Sequence, residues 1–215
     1  DIMGMDAVFV HMALTYYCPK GGKPGRVDWM EADKLEKLCE RARKQEPLTL
    51  GRKAPTLILT DTTEQRWINY AELPQEFVVV IFWDPHCGHC KKEMPEIHKV
   101  YKEKLKAMGI EVYAVAKATD ESLFKDWKKF IREHGLDWVN VGLTKGVFEE
   151  AKKDARKFIP RYTTLESLNY ADTWDVYSTP KLFVVDGERR FVGKSLSAEQ
   201  IADLVTRLRE RNKAR

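Results

Sequence analysis

The 215-residue sequence contains no apolar stretch long enough to cross a membrane. Its longest strongly apolar run, Phe77–Trp83, has seven residues, against the roughly 20 that a spanning helix needs. A transmembrane segment in this chain is therefore excluded. An excess of one charge is missing too. The 37 Lys and Arg stand against 33 Asp and Glu, for a net charge of +4. The signs are interleaved, with eight of each in residues 1–46, so no block reads as a nucleic-acid-binding arm. The most basic stretch, Lys145 to Arg161, holds six positive and three negative residues and reads as a solvated helix face. The opening Asp1-Ile-Met-Gly-Met-Asp6 lacks the basic head and apolar core of a signal peptide. Internal repeats and low-complexity segments are absent. Cysteine is scarce: four residues, at 18, 39, 87 and 90, are too few for a disulfide scaffold at this length. None is needed, since a chain of this size can bury roughly 70% of its unfolded surface.

What is present is an ordered alternation of helix and strand patterns. Dividing the length by about 150 residues per domain gives roughly 1.4, one domain with an appendage. Residues 6–17 are apolar with little charge and stop at Cys18-Pro19-Lys20-Gly21-Gly22. From Trp29, apolar residues recur at 32, 35, 38, 39 and 42, the stripe of an amphipathic helix. Residues 1–46 thus predict two helices with a Gly-Pro loop between them, a helical extension set apart by Glu46-Pro47 and Gly51. Cys39 falls on the apolar helix face, so it reads as a buried free thiol, with a Cys18–Cys39 disulfide as the alternative.

After Pro55 the pattern becomes β-type. Short strands are predicted at Thr56–Thr60 and Arg66–Tyr70. Phe77–Trp83, β-branched and apolar on both faces, predicts a central strand covered on both sides. A helix is expected from Gly88 to Met108, kinked at Pro95, then a strand over Glu111–Lys117 and a helix over Glu121–His134. A short strand at Asp137–Gly142, a hairpin around Asp186-Gly187 and a helix from Ala198 to about Arg211 complete the reading. Residues 143–176 look helical with irregular connections, and no topology is read there. The aromatics Trp127, Trp138, Trp174 and Tyr177 read as core and rim. The fold class is α/β, a central mixed sheet with helices on both faces.

Chemistry concentrates in Trp83-Asp84-Pro85-His86-Cys87-Gly88-His89-Cys90, which ends a buried strand and opens a helix. The first turn of a helix carries unpaired N–H groups and partial positive charge, which favour a thiolate. Cys87 is therefore expected to be the nucleophile, with a depressed pKa. Cys90, one turn on, can close a disulfide or resolve a mixed one. A metal site is disfavoured: His86, Cys87, His89 and Cys90 are too crowded for one turn to wrap an ion tetrahedrally. Haem attachment needs His after the second cysteine, where Lys91 stands.

The run Phe82 to Pro95, with Cys-Gly-His-Cys at its centre, resembles the active site of thioredoxin-like proteins of the TlpA/ResA type. Tyr177-Ser178-Thr179-Pro180-Lys181-Leu182-Phe183-Val184-Val185-Asp186-Gly187 is similar to their Thr-Pro segment, strand and hairpin. Leu50-Gly51-Arg52-Lys53-Ala54-Pro55 is similar to the start of their redoxin domain. The resemblance spans 50–213. Residues 1–46 resemble the end of a helical region that precedes such domains in some Gram-negative envelope proteins, which implies a truncated form.

This resemblance implies a thioredoxin fold and a thiol–disulfide oxidoreductase acting on protein disulfides. Its partners would be those disulfides and an upstream electron donor or acceptor. It implies no cofactor beyond the redox-active Cys87–Cys90 pair, no metal and no nucleic acid, and an extracytoplasmic, periplasmic or envelope location. It also implies a cis bond into Pro180, with Thr179 offering its backbone to an extended substrate. Thioredoxin's buried Asp, six residues before the first cysteine, is replaced by Ile81, so Glu93 is the candidate base for Cys90. That role requires a partly buried carboxylate. His89 is expected to stabilise the Cys87 thiolate, and the Gly-His dipeptide, shared with protein disulfide isomerase, implies a potential above thioredoxin's. Trp83 and His86 are assigned to the substrate groove. The alternatives are a Cu(I)-handling module, a thiol peroxidase, which would want Thr where Asp84 stands, and a binding module working through the extension.

Overall fold

The computed structural model describes residues 2–19 and 27–214. Its strands are β1 (Ile58–Thr60), β2 (Trp67–Asn69), β3 (Phe77–Trp83), β4 (Ile110–Ala118), β5 (Val139–Thr144), β6 (Lys181–Val185) and β7 (Phe191–Lys194). They form one sheet in the order β2-β1-β5-β4-β3-β6-β7. β3, β4 and β5 run parallel, and the flanking pairs β1/β5, β3/β6 and β6/β7 are antiparallel. This is the mixed α/β sheet that the sequence predicts. β3 is central because every one of its residues is apolar and buried. Side chains alternate along a strand, so Phe77, Val79, Ile81 and Trp83 enter one core layer and Val78, Val80 and Phe82 the other.

Helices α1 (Ile2–Met12) and α2 (Ala32–Gln45) precede the sheet. α3 (Gly88–Val100), α4 (Glu121–His134) and α8 (Ala198–Lys213) send Met94, Trp127 and Ile201 into the first layer. The 143–176 region, which the sequence leaves without topology, contains α5 (Lys145–Asp154), α6 (Leu165–Leu168) and α7 (Tyr170–Thr173). It covers the second layer with Val147, Tyr170 and Trp174. Local signals set the ends of the regular helices. Asp120 caps α4 by accepting the Leu123 N–H at 2.9 Å, and Gly135 closes it at φ 60°, the left-handed geometry that glycine adopts without cost. Ser197 and Gln200 form a capping box at α8.

Two expectations need revision. α3 runs through Pro95 without a break and ends at Val100, where a π turn, Tyr101–Leu105, replaces the α-helix expected to reach Met108. That turn places both Tyr101 and Leu105 in the core. Cys39 is not a free thiol: it is bonded to Cys18, with Cα atoms 5.6 Å apart. The bond staples α2 to the π turn Ala13–Tyr17 that follows α1, across a small core of Ala13, Cys18, Cys39 and Ala42. The Gly-Pro loop predicted between the two helices falls largely outside the described residues.

Candidate active site

β3 delivers the chain to a tight turn at its carboxyl end. The Cys87 N–H donates to the Asp84 carbonyl at 3.0 Å, closing a four-residue turn with Asp first and Pro second, favoured positions for both. The Asp84 carboxylate accepts the His86 N–H at 2.7 Å and faces Lys117 of β4 at 3.5 Å. The turn leads directly into α3, and Cys87 is its N-cap, with φ −74° and ψ 121°.

The two sulfurs lie in different environments. Cys87 is half-buried and Cys90 fully buried, and both are reduced. The Cys87 Sγ accepts the Cys90 N–H at 3.5 Å. This backbone donor, one of the unpaired N–H groups of the first turn, leads in holding the Cys87 pKa below the ordinary thiol value; desolvation opposes it, and the His89 N–H adds a smaller lowering. Cys90 is pushed up to about 11, chiefly because desolvation penalises its thiolate, with partial relief from the Asp84 backbone. The two sulfurs thus differ in how readily they ionise.

The Thr179–Pro180 peptide bond is cis and lies against the pair, with the Cys87 thiol donating to the Thr179 carbonyl at 3.4 Å. Thr179, Pro180, Cys87 and Cys90 therefore converge as the sequence suggests. The loop before them is anchored by a contact the sequence reading missed. Lys181, first residue of β6, donates to the carbonyl of buried Asp175 and faces its carboxylate at 3.3 Å. Nothing in the local pattern marks it, since Asp175 reads as a loop residue.

Other assigned residues lie less close. His86 is exposed and tied through Nε2 to Asp126 of α4 at 2.8 Å. His89 is exposed on the first turn of α3. Trp83 is only 1% exposed and packs on Phe130, ring centroids 5.1 Å apart. It is a core residue that also borders a cavity beside Thr179. Glu93 is exposed, not partly buried. It stands at the wall of a cavity of about 590 Å³ that also touches Ile81, Pro180 and the start of α8.

The helical extension also reaches this end of the sheet. Lys44 of α2 donates to the Tyr177 hydroxyl at 3.2 Å and faces Asp172 at 3.5 Å. Lys44 and Arg41 lie over the Tyr177 ring, 5.8 and 6.0 Å from its centroid. Tyr177 is 65% exposed and two residues before Thr179.

Residues 50–191 match the AhpC/TSA family. Thiol-disulfide oxidoreductase ResA of Bacillus thuringiensis (strain Al Hakam) and that of Bacillus anthracis are each 33% identical over 103 residues. The aligned region covers 47% of this chain and 56% of the relative, so the chain spans about half the length of these curated relatives. Among solved structures, a domain of a possible thiol-disulfide isomerase from Cytophaga hutchinsonii superposes with a TM-score of 0.59 at 30% identity, covering 79% of this chain and 99% of that one. The thioredoxin domain of a thiol-disulfide oxidoreductase from Bacteroides vulgatus gives 0.55 at 25% identity, covering 74% and 97%.

Proposed function

The chain belongs to the AhpC/TSA family and is a thioredoxin-like protein of the TlpA/ResA type, and from that premise we propose that it exchanges disulfides with other proteins through Cys87 and Cys90. The Cys87 thiolate attacks one sulfur of a substrate disulfide; that bond breaks and the other substrate sulfur leaves as a thiolate that takes up a proton. Cys90 then loses its proton, attacks Cys87 in the mixed disulfide and releases the second substrate thiol. Two electrons pass to the substrate, and the Cys87–Cys90 disulfide is returned to the dithiol by an upstream donor. Run backwards, the same steps oxidise or rearrange a substrate, and the partner's potential sets the direction.

The observation that carries this reading is the division of labour between the sulfurs: a half-buried one with a lowered pKa at a helix start and a buried one raised to about 11. A proton route is required because so little Cys90 is ionised near neutral pH. Glu93 is exposed rather than partly buried, so it serves this reading as a surface carboxylate bordering a cavity with Ile81 and Pro180 that is roomy enough to hold water. Thr179 offers its backbone to an extended substrate beside the sulfur. Asp84, where a thiol peroxidase would want Thr, argues against that alternative. The buried Cys18–Cys39 disulfide supports a site of action outside the cytoplasm, where such bonds persist.

Insulin reduction with dithiothreitol as donor tests the activity. The protein should accelerate it, Cys87→Ser should abolish the acceleration, and Cys90→Ala should accumulate mixed disulfides. With Gly-His between the cysteines, the equilibrium potential against glutathione should lie above the roughly −270 mV of thioredoxin. Full acceleration by Cys87→Ser would remove the proposal.

A further inference from the structure

A second cavity, about 420 Å³, opens on the other side of the Thr179–Pro180 bend, within the usual size range of ligand pockets of about 300–1,000 Å³. Its floor is apolar, formed by Phe82, Leu143, Phe148 and Tyr170. Its inner wall includes Thr179, whose carbonyl touches the Cys87 sulfur at 3.4 Å, so an occupant would lie one residue from the reacting atom. Its outer wall is Tyr177, the ring held by Lys44 and Arg41 of α2.

We propose that this cavity receives a large apolar side chain, aromatic or long aliphatic, that flanks the reacting cysteine of the substrate polypeptide. The inference rests on the exchange activity proposed above and specifies the substrate for it. The charge pattern selects this occupant. The ionic groups at the rim are already matched, Asp84 with Lys117 and Asp172 with Lys44, each at 3.5 Å. Among the described residues that line the cavity no charge is left unmatched, so a charged side chain would gain no lining counter-charge for its desolvation, whereas an apolar one gains by leaving water against the floor of Phe82, Leu143, Phe148 and Tyr170. The arrangement also gives the N-terminal helices a role in the site, since α2 holds the Tyr177 wall upright.

The test uses the full chain carrying Cys90→Ala and a panel of nine-residue Ser/Ala peptides. Each peptide has one cysteine in mixed disulfide with thionitrobenzoate. The Cys87 thiolate attacks the peptide sulfur, the S–S bond breaks and thionitrobenzoate leaves as a coloured thiolate, so the second-order rate is read directly. A single Phe is moved position by position along either side of the cysteine. One position should raise the rate by about tenfold or more, as burial of even small apolar increments does in a fitted pocket, and Asp or Lys there should not. Ala171, exposed at the cavity wall, can become Trp without repacking the core, and Ala171→Trp should erase the advantage of that Phe. Tyr177→Ala, which removes the wall instead of filling the space, should reduce it as well. Rates equal within about twofold along the whole panel, or a Phe advantage that survives in both variants, would overturn the inference. No reaction with any peptide would instead count against the exchange activity itself.

Discussion

Removing the Cys18–Cys39 bond with Cys18→Ser/Cys39→Ser should release the N-terminal helices from one another while leaving the sheet folded. The two cysteines are 21 residues apart, and a closed loop of that length removes about 3 kcal/mol of conformational freedom from the unfolded chain. Little else is available to replace it. The core between the helices consists of Ala13, Cys18, Cys39 and Ala42 with partly buried Phe9, Leu14, Leu35 and Leu38 around them. The sheet, with its two large core layers, does not depend on that cluster, so the loss should be local. Native-state hydrogen exchange is the suitable assay. Amides of α2 (residues 32–45) should lose protection by roughly a hundredfold, which is about 3 kcal/mol, while those of β3 keep theirs. Thiol titration of the denatured, unreduced wild type should count two free thiols. Four free thiols, or a change in α2 of less than about 1 kcal/mol, would refute the reasoning, and an equal loss in β3 would show that the helices and the sheet unfold together.

Two further outcomes follow from the packing and the site. Gly142 has no room for a side chain, since an added Cβ would lie 2.7 Å from the Ala116 carbonyl and 3.4 Å from the Trp127 ring; Gly142→Ala should cost about 1–3 kcal/mol through overpacking, measured by denaturant unfolding, and an unchanged midpoint would contradict this. Glu93→Gln should slow the resolving step by roughly a hundredfold, the lower end for a lost proton carrier, and weaken its pH dependence, read by quenched-flow trapping of the mixed disulfide; an unchanged pH profile would exclude Glu93 from proton transfer.

Much of this arrangement is legible in the sequence because its determinants are local. Seven consecutive apolar residues rich in β-branched and aromatic side chains favour a strand covered on both faces, and Asp120, Gly135 and Ser197 stand at helix ends set by short-range hydrogen bonding. The cysteine pair, its helix and the Thr-Pro segment are likewise contiguous motifs. What escapes the sequence depends on distance. Whether Cys39 packs or pairs turns on where Cys18 arrives, and the apolar helix face satisfies either outcome. Lys44 meets Tyr177 across 133 residues, with no periodicity to announce it. The 143–176 region has short helices, a second cis bond at Ile159–Pro160 and buried polar anchors such as Ser167, which accepts the Ile58 N–H at 2.9 Å. Such long-range contacts leave no repeating pattern. The exposure of single side chains near the motif is equally illegible: Trp83 is a core residue that also borders a cavity, and Glu93 stands exposed.

The central claim is that backbone donors at the start of α3 hold the Cys87 sulfur in a partly ionised state. Its most direct test is the pH dependence of the alkylation rate of Cys87 by iodoacetamide in Cys90→Ala, a substitution that keeps the Cys90 N–H, the leading cause of the shift. The rate should rise through an inflection clearly below the free-cysteine value of about 8.5; an inflection at or above that value would contradict the account.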